Sequence, residues 1–363
     1  MDTDNEKSAP DKRKLVLFGD AVMSYLGVDL HTNSFTVCRR TKQGKNRIRT
    51  FQITRIADFR KTLRKRDLLA VEATGNTAWF VSQIRDRVKK VTIVNPFQFE
   101  VIRRSVKKTD KNDSKTLALF LSKDMLPEAR MKTKENAQLH SLATTRDKLV
   151  KQRTALINKI HNVLNSYGIK FKKESLGSEK GLKSVWAYEW DVIVRIELEV
   201  LVEQIRSLNK SIKMLDKEMT DHGQKLKGHK SLTSIKGIAG RSATVLLTVI
   251  GDVNDFADEN KLASYFGIVP RVSDSNETVR HGRITKHGSK LGRTTLVQCT
   301  LVAKRYSPYL RQYYERIKSH RGSGKAIIAT ARKFLGIIYN TLINGWVFED
   351  FPNFVLASSC VKK

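Results

Sequence analysis

Four acids stand where this chain could hold a divalent cation. Asp29 ends a short apolar run beginning at Tyr25, and Glu72 follows the compact run Leu68 to Val71. Asp110 and Asp113 lie three apart at the start of a stretch whose Leu117, Leu119 and Leu121 belong to an expected helix. Residues three apart on a helix share a face, so both carboxylates can point to one ion. Mg²⁺ takes hard oxygen ligands and keeps part of its water, so converging carboxylates suit a pair of ions holding a phosphodiester. Each acid alone has a plainer reading. An Asp ending a strand is often a turn residue, and an acid in the first helical turn serves the dipole or a cap. An acid directly after an apolar core strand, twice over, favours the site.

A second chemistry is written between Pro270 and Gly288, read as an irregular polar loop. Arg271, Arg280, Arg283, Lys286 and Lys290 crowd it, with His281 and His287 among them and the hydroxyls of Ser273 and Ser275 inside it. A hydroxyl among cations can approach a phosphate whose charge those cations stabilise. Most loop serines form turns, however, and most basic loops bind backbone phosphates only. The two histidines are read as phosphate neighbours before proton carriers.

The elements that must position these residues follow from the apolar pattern. Tyr25 to Asp29 reads as a strand, His31 to Asn33 as a turn, and Phe35 to Cys38 alternates as a strand does. A third strand is expected around Ile48 to Ile53, a fourth at Leu68 to Val71, a helix at about Asn76 to Val88, and a strand at Val91 to Val94 stopped by Asn95 and Pro96. Such an order makes a mixed sheet with helices packed on it, the general plan of the ribonuclease H fold. From Leu139 to Leu164 the positions Leu142, Leu149, Leu156, Ile160 and Val163 recur at helical spacing, with Arg146 and Arg153 in the remaining places. Leu201, Ile205, Leu208, Ile212, Leu215 and Met219 form a heptad seam. A polar stretch over Tyr167 to Lys183 separates the two, so they can fold back as a hairpin, pair between chains as a coiled-coil arm, or be ordinary bundle helices. Further on, Ile235 to Gly240 resembles the Gly turn of a helix-hairpin-helix, a phosphate-holding device that is also a common cap.

Composition narrows the partner. Lys and Arg number 68 against 36 Asp and Glu, a formal charge of +32 over 363 residues, which implies a polyanion. No run of about 18 apolar residues and no signal-peptide core is present, so nucleic acid is favoured over a membrane. Cys38, Cys299 and Cys360 are odd in number and far apart, which argues against disulfides and zinc and for a reducing, cytoplasmic setting.

Taken in order, Gly27-Val28-Asp29, Val71-Glu72-Ala73-Thr74-Gly75, Val94-Asn95-Pro96 and Lys108-Thr109-Asp110-Lys111-Asn112-Asp113 resemble the RuvC-like domain of the DEDD transposases of bacterial insertion sequences, relatives of the Piv DNA invertases. Phe266-Gly267-Ile268-Val269-Pro270-Arg271, then Ser275, then Gly282-Arg283-Ile284-Thr285-Lys286-His287-Gly288 are similar to that family's C-terminal transposase domain. The resemblance runs from about Tyr25 to Trp346. It implies an α/β plus all-α chain: a flexible tail (1–22), a RuvC-like metal-site domain of ribonuclease H fold (23–130), a coiled-coil helical arm (131–225), a mainly helical transposase domain (226–348) and a C-terminal tail (349–363).

The resemblance further implies that Asp29, Glu72, Asp110 and Asp113 hold Mg²⁺, with Mn²⁺ able to substitute, and that Ser275 is the nucleophile forming a transient phosphoserine bond to DNA. The residue after Ser275 is Asn276 where the family commonly has Gly, and Ser273 competes for the role. Expected nucleic-acid contacts are Arg103, Arg104, Lys107, Lys108, Arg271, Arg280, Arg283, Lys286 and Lys290. Expected partners are double-stranded donor and target DNA, a structured guide (bridge) RNA, and further copies of the chain in a dimer or tetramer with composite active sites, in a bacterial cytoplasm at the nucleoid. Three rivals stay open. A RuvC-like nuclease or junction resolvase would release unjoined, hydrolysed ends; a non-catalytic binding protein would ignore Mg²⁺; a DNA invertase would differ only in the arrangement of its sites.

Overall fold

Period-two alternation builds the N-terminal sheet. In β1 (Ser24–Leu30), Leu26, Val28 and Leu30 enter one core, which leaves Gly27 and Asp29 for the opposite face. The computed structural model describes residues 23–96, 99, 109–275 and 278–345, with only the backbone described over the strand residues within 273–281. The chain divides into two units, residues 1–131 and 132–363.

In the first unit, β1 pairs antiparallel with β2 (Ser34–Thr41), which pairs antiparallel with β3 (Asn46–Gln52). On its other side β1 runs parallel to β4 (Leu68–Glu72), and β4 parallel to β5 (Lys90–Val94), giving the order β3-β2-β1-β4-β5. One face is covered by α1 (Ile56–Thr62) and α2 (Thr77–Ile84), where Phe35, Phe59 and Phe80 meet at ring distances of 5.1 to 6.1 Å. The other carries α3 (Asp110–Ser122), whose Leu117 and Leu121 pack with Ala70 and Val94. The expected strands are all present. Helix α1 was not expected: its Ile56-Ala57-Asp58-Phe59-Arg60-Lys61-Thr62 buries Phe59 alone, too little to show a helical period.

In the second unit, α4 (Lys134–Ser166) and α6 (Val192–Gly223) form an antiparallel hairpin. The seam differs from the one read in the sequence. The buried row of α6 is Leu198, Val202, Ile205, Ile212 and Met219, while Leu201, Leu208 and Leu215 are half-buried beside it. The row is completed by Asn209 and Asp216, which meet Arg153 (2.8 Å) and Arg146 (2.9 Å) of α4. Counting apolar residues alone therefore shifts the stripe sideways, because two of its layers are polar pairs. The stretch 167–183 is not a mere polar linker either: Leu176 and Leu182, the latter in α5 (Glu179–Ser184), join Val185 and Ile160 in a small core at the hairpin tip.

The rest of the unit is helical: α7 (His229–Thr233), α8 (Gly240–Ile250), α9 (Glu259–Phe266), α10 (Lys290–Tyr306) and α11 (Pro308–Asn344), the last kinked at Gly322. Their core includes Leu246, Phe266, Leu296, Leu310 and Phe334. Helix α11 is long and apolar enough to cross a membrane, but Phe334, Leu335, Ile337 and Ile338 lie in this core, which accounts for its apolar half. Between α9 and α10 the expected irregular loop is instead an antiparallel ribbon, β6 (Pro270–Ser275) with β7 (Thr278–Ile284). Charged residues interrupt the alternation by which a strand announces itself, so the ribbon reads as a loop.

Candidate metal centre and basic ribbon

Gly27 decides where the acids meet. A Cβ at this position would lie 2.2 Å from the Ser114 carbonyl oxygen and 2.4 Å from the Ala118 nitrogen, so only glycine lets the α3 backbone lie directly on β1. The start of α3 is set by Thr109, whose side chain accepts from the Asn112 N–H as an N-cap. Asp110 and Asp113 thus occupy the first turn, and the close approach delivers that turn to the end of β1 where Asp29 sits.

The result is a concentration of negative charge. Asp29 and Asp113 are buried, Asp110 is exposed. Burial, then repulsion by Asp110 and Asp113, holds the Asp29 carboxyl above its ordinary pKa, against a lowering pull from His31. The His31 Nε2 lies 3.3 Å from Asp29 Oδ2 and 3.4 Å from Asp110 Oδ1, and ligand atoms of Asp29, His31 and Asp110 all fall within 4.8 Å of one another. Oxygen donors crowded until one resists ionisation fit a divalent cation, which removes the repulsion that burial intensifies. His31 was read only as a turn residue. Its place two after Asp29, at the mouth of the same strand, was the available signal.

Glu72 ends β4, the parallel neighbour of β1, and is half-buried. The segment after it is tied down locally: Thr77 Oγ1 donates to the Glu72 carbonyl at 2.7 Å, Thr74 N donates to Thr77 Oγ1 at 2.9 Å, and Ala73 N donates to the Val94 carbonyl at 3.0 Å. Asn76 Nδ2 donates to the His31 carbonyl at 2.9 Å, joining this turn to the one after β1. The ends of the two parallel strands are thereby held side by side.

The ribbon is clamped at its base. Gly267 adopts φ +68°, and a Cβ there would meet the His287 nitrogen at 2.7 Å; one at Gly288 would meet the Tyr265 carbonyl oxygen at 2.0 Å. Lys286 N donates to the Gly267 carbonyl (3.0 Å) and Thr285 N to that of Val269 (2.9 Å). Arg293 donates from Nη1 to the carbonyls of Phe266 (3.1 Å) and Gly288 (2.6 Å), gripping both ends, and burial lowers its pKa. Arg293 is thus one cation of this region with a structural task, and it was missed because it lies beyond the motif. Arg271, Arg283, Lys286 and Lys290 are exposed. Ser275 pairs with Thr278 as the last rung at the ribbon tip, and Ser273 pairs with Arg280 two residues earlier. The side chains of Ser273, Ser275 and Arg280, and Arg103, Arg104, Lys107 and Lys108 altogether, lie outside the described residues.

Around the Gly turn Ile235 to Gly240, Gly237 takes φ +110° with its Cα against the Ala303 backbone, so the turn packs on α10. A surface cavity of about 580 Å³ beside it is lined by Lys236, Ser242, Gln298 and Tyr306 among others.

Comparison with known proteins bears on both regions. Residues 26–169 match a family model described as a transposase, of the DEDD type found in IS110, and residues 229–315 match one described as Transposase IS116/IS110/IS902 family. The transposase for insertion sequence element IS1111A of Coxiella burnetii is 26% identical over 87% of this chain and 89% of its own length. The transposase for IS1328 of Yersinia enterocolitica is 24% identical over 90% and 99%. The pilin gene-inverting protein of Moraxella lacunata is 25% identical over 90% and 98%.

Proposed function

Because the chain belongs to the IS116/IS110/IS902 family of transposases, we propose that it cuts and rejoins DNA strands with two sets of residues, the carboxylates of the N-terminal sheet and a serine on the basic ribbon. The observation that carries this reading is the convergence of Asp29, Asp110 and Asp113 where α3 crosses Gly27. The parallel β1 and β4 with acids at their ends, flanked by an antiparallel meander, support a RuvC-like domain of ribonuclease H fold. The division at residue 131 supports a boundary of the metal-site domain at about residue 130; the proposed helical arm and transposase domain both fall within the second unit.

Asp29, Glu72, Asp110 and Asp113 would hold Mg²⁺ or Mn²⁺, with His31 beside them; a bound ion supplies Lewis acidity to a phosphate oxygen. Ser275 Oγ forms a bond to phosphorus as one P–O ester bond breaks, its proton passes to solvent or a nearby base, and a DNA hydroxyl leaves. A hydroxyl of another DNA end reverses the step and regenerates the serine, so the joint needs no external energy source. Arg271, Arg280, Arg283, Lys286 and Lys290 neutralise phosphate charge near the ribbon, and Arg103, Arg104, Lys107 and Lys108 extend the contact ahead of α3.

A structured guide RNA and composite sites shared between copies complete the reading, consistent with the +32 charge. Inversion is the second reading, favoured by the near full-length similarity to a pilin gene-inverting protein. The test is a DNA substrate nicked beside the cleavage point, with peptide mass mapping of the trapped species. The expected adduct sits on Ser275 and vanishes in Ser275→Ala. Metal-dependent cleavage with no adduct would assign attack to water and the chain to the resolvase class.

A further inference from the structure

The end of the N-terminal sheet opposite the carboxylates has a composition of its own. Strand direction places three turns there. The β2–β3 turn lies beside Ser24 at the start of β1, the segment 63–67 enters β4, and the segment 85–89 enters β5. Lys89 N donates to the Asp67 carbonyl at 2.9 Å, which ties the last two together. Residues 39–47, 60–67 and 85–90 hold fourteen Lys and Arg against two Asp, and both Asp are already engaged. Asp67 is fully buried against Arg39 Nη1 at 2.7 Å, and Asp86 takes a two-pronged contact from Arg60 at 2.9 and 3.0 Å. The Glu128 carboxylate at this edge is taken by Lys90.

What remains is a set of exposed cations: Lys42, Lys45, Lys65, Arg66, Arg85 and Lys89, none with a carboxylate partner among the described residues. Helix ends account for part of this charge, since Arg60 and Lys61 lie in the last turn of α1 and suit its dipole. Lys42, Lys45, Lys65, Arg66 and Lys89 lie on turns and answer to no dipole. Mutual repulsion among them costs stability in the free protein, and a polyanion relieves it. At ~3.3 Å per residue, the length of β1 puts this end roughly 15 Å from Asp29.

We infer that this pole is a second nucleic-acid seat, which grips phosphodiester backbone other than the strand brought to the carboxylates. The inference takes its partner class from the transposase reading, and its geometry from the N-terminal unit alone. An enzyme that joins one DNA end to another must hold more than one nucleic-acid segment, and this pole supplies a place for one that is not being cut.

The test uses the full chain with Lys65→Gln, Arg66→Gln and Lys89→Gln combined. A control carries Lys210→Gln, Lys213→Gln and Lys217→Gln on the exposed side of α6. Binding of a duplex DNA and of a stem-loop RNA of matched charge is followed across salt. Each phosphate contact contributes about 0.9 to the log-log slope on duplex DNA and about 0.7 on single strands, so the pole variant is expected to bind with a slope shallower by about 2 to 3. The arm in which this occurs identifies the seated nucleic acid. Slopes no shallower than the control's in both arms would overturn the proposal. Mn²⁺ binding at the carboxylates, unchanged in the pole variant, separates this outcome from a failure of the transposase reading, which shows as loss of metal-dependent cleavage in the wild type.

Discussion

At the carboxylates every side chain is placed by something distant in sequence. Asp29 meets Asp110 because α3 lies on Gly27, and Glu72 ends the neighbouring strand because β4 runs parallel to β1. In the β6–β7 ribbon the paired residues are at most fourteen positions apart, and the clamp on its base is made by Gly267, Gly288 and Arg293, its immediate flanks. One region is therefore held by close packing of a helix on a sheet, the other by local backbone hydrogen bonds and a single guanidinium. On the proposed function, metal ligands tolerate little displacement, whereas a ribbon that contacts phosphate gains from a stiff base.

The largest effect expected of breaking the first region is chemical. Asp113→Ala should reduce metal-dependent strand cleavage at least a thousandfold, about 4 kcal/mol of transition-state stabilisation, with the circular dichroism of the wild type. Cleavage that survives would remove Asp113 from the site and leave Asp110 as the acid that α3 supplies.

A crossed pair of glycine variants sharpens the contrast. Gly27→Val should lift α3, cost about 1–3 kcal/mol in overpacking and weaken Mn²⁺ binding measured calorimetrically. Gly288→Ala, which strikes backbone equally closely, should destabilise by a similar amount and leave Mn²⁺ binding intact. Equal loss of metal affinity in both would mean the regions are not independent.

Arg293→Met should act more gently. With two carbonyls released, adduct formation on the ribbon should fall about five- to 150-fold, for the ~1–3 kcal/mol of a charged hydrogen-bonding group, while metal affinity holds. Partial recovery in Arg293→Lys would mark a positioning role, since both carbonyls are held from one nitrogen and an ammonium can donate to them, but on a shorter side chain.

The smallest effect concerns stability alone. The folded-state pKa of Asp29 lies above its ordinary value, so the stability this group contributes is present at low pH and is lost as pH rises through that raised pKa. Asp29→Asn should therefore stabilise the metal-free protein at neutral pH, with the advantage shrinking on acidification. A variant no more stable than wild type at any pH would contradict the repulsion inferred at the site.

How much of this was legible beforehand varies element by element. The strands around Asp29 and Glu72 were readable because one buried face imposes alternation, and Asp110 with Asp113 because a helix start and a three-residue spacing are local facts. Ribbon β6–β7 was not, because charged residues break its alternation. The hairpin seam was misplaced by one row, because Asn209 and Asp216 occupy layers that only their partners Arg153 and Arg146, over fifty residues away, make compatible with burial.

By itself the sequence determined the charge, the strand positions in the N-terminal unit, the helices that follow Gly75 and Thr109, and which acids stood at element ends, since these depend on residue type and short-range period. Tertiary structure alone decided that Gly27 admits α3 to the sheet, that His31 joins the acids, that Arg293 belongs to the scaffold of the ribbon, and that fourteen cations from three separate segments share one pole. Those are relations between residues brought together by packing, and no local pattern along the chain encodes a distance of that kind.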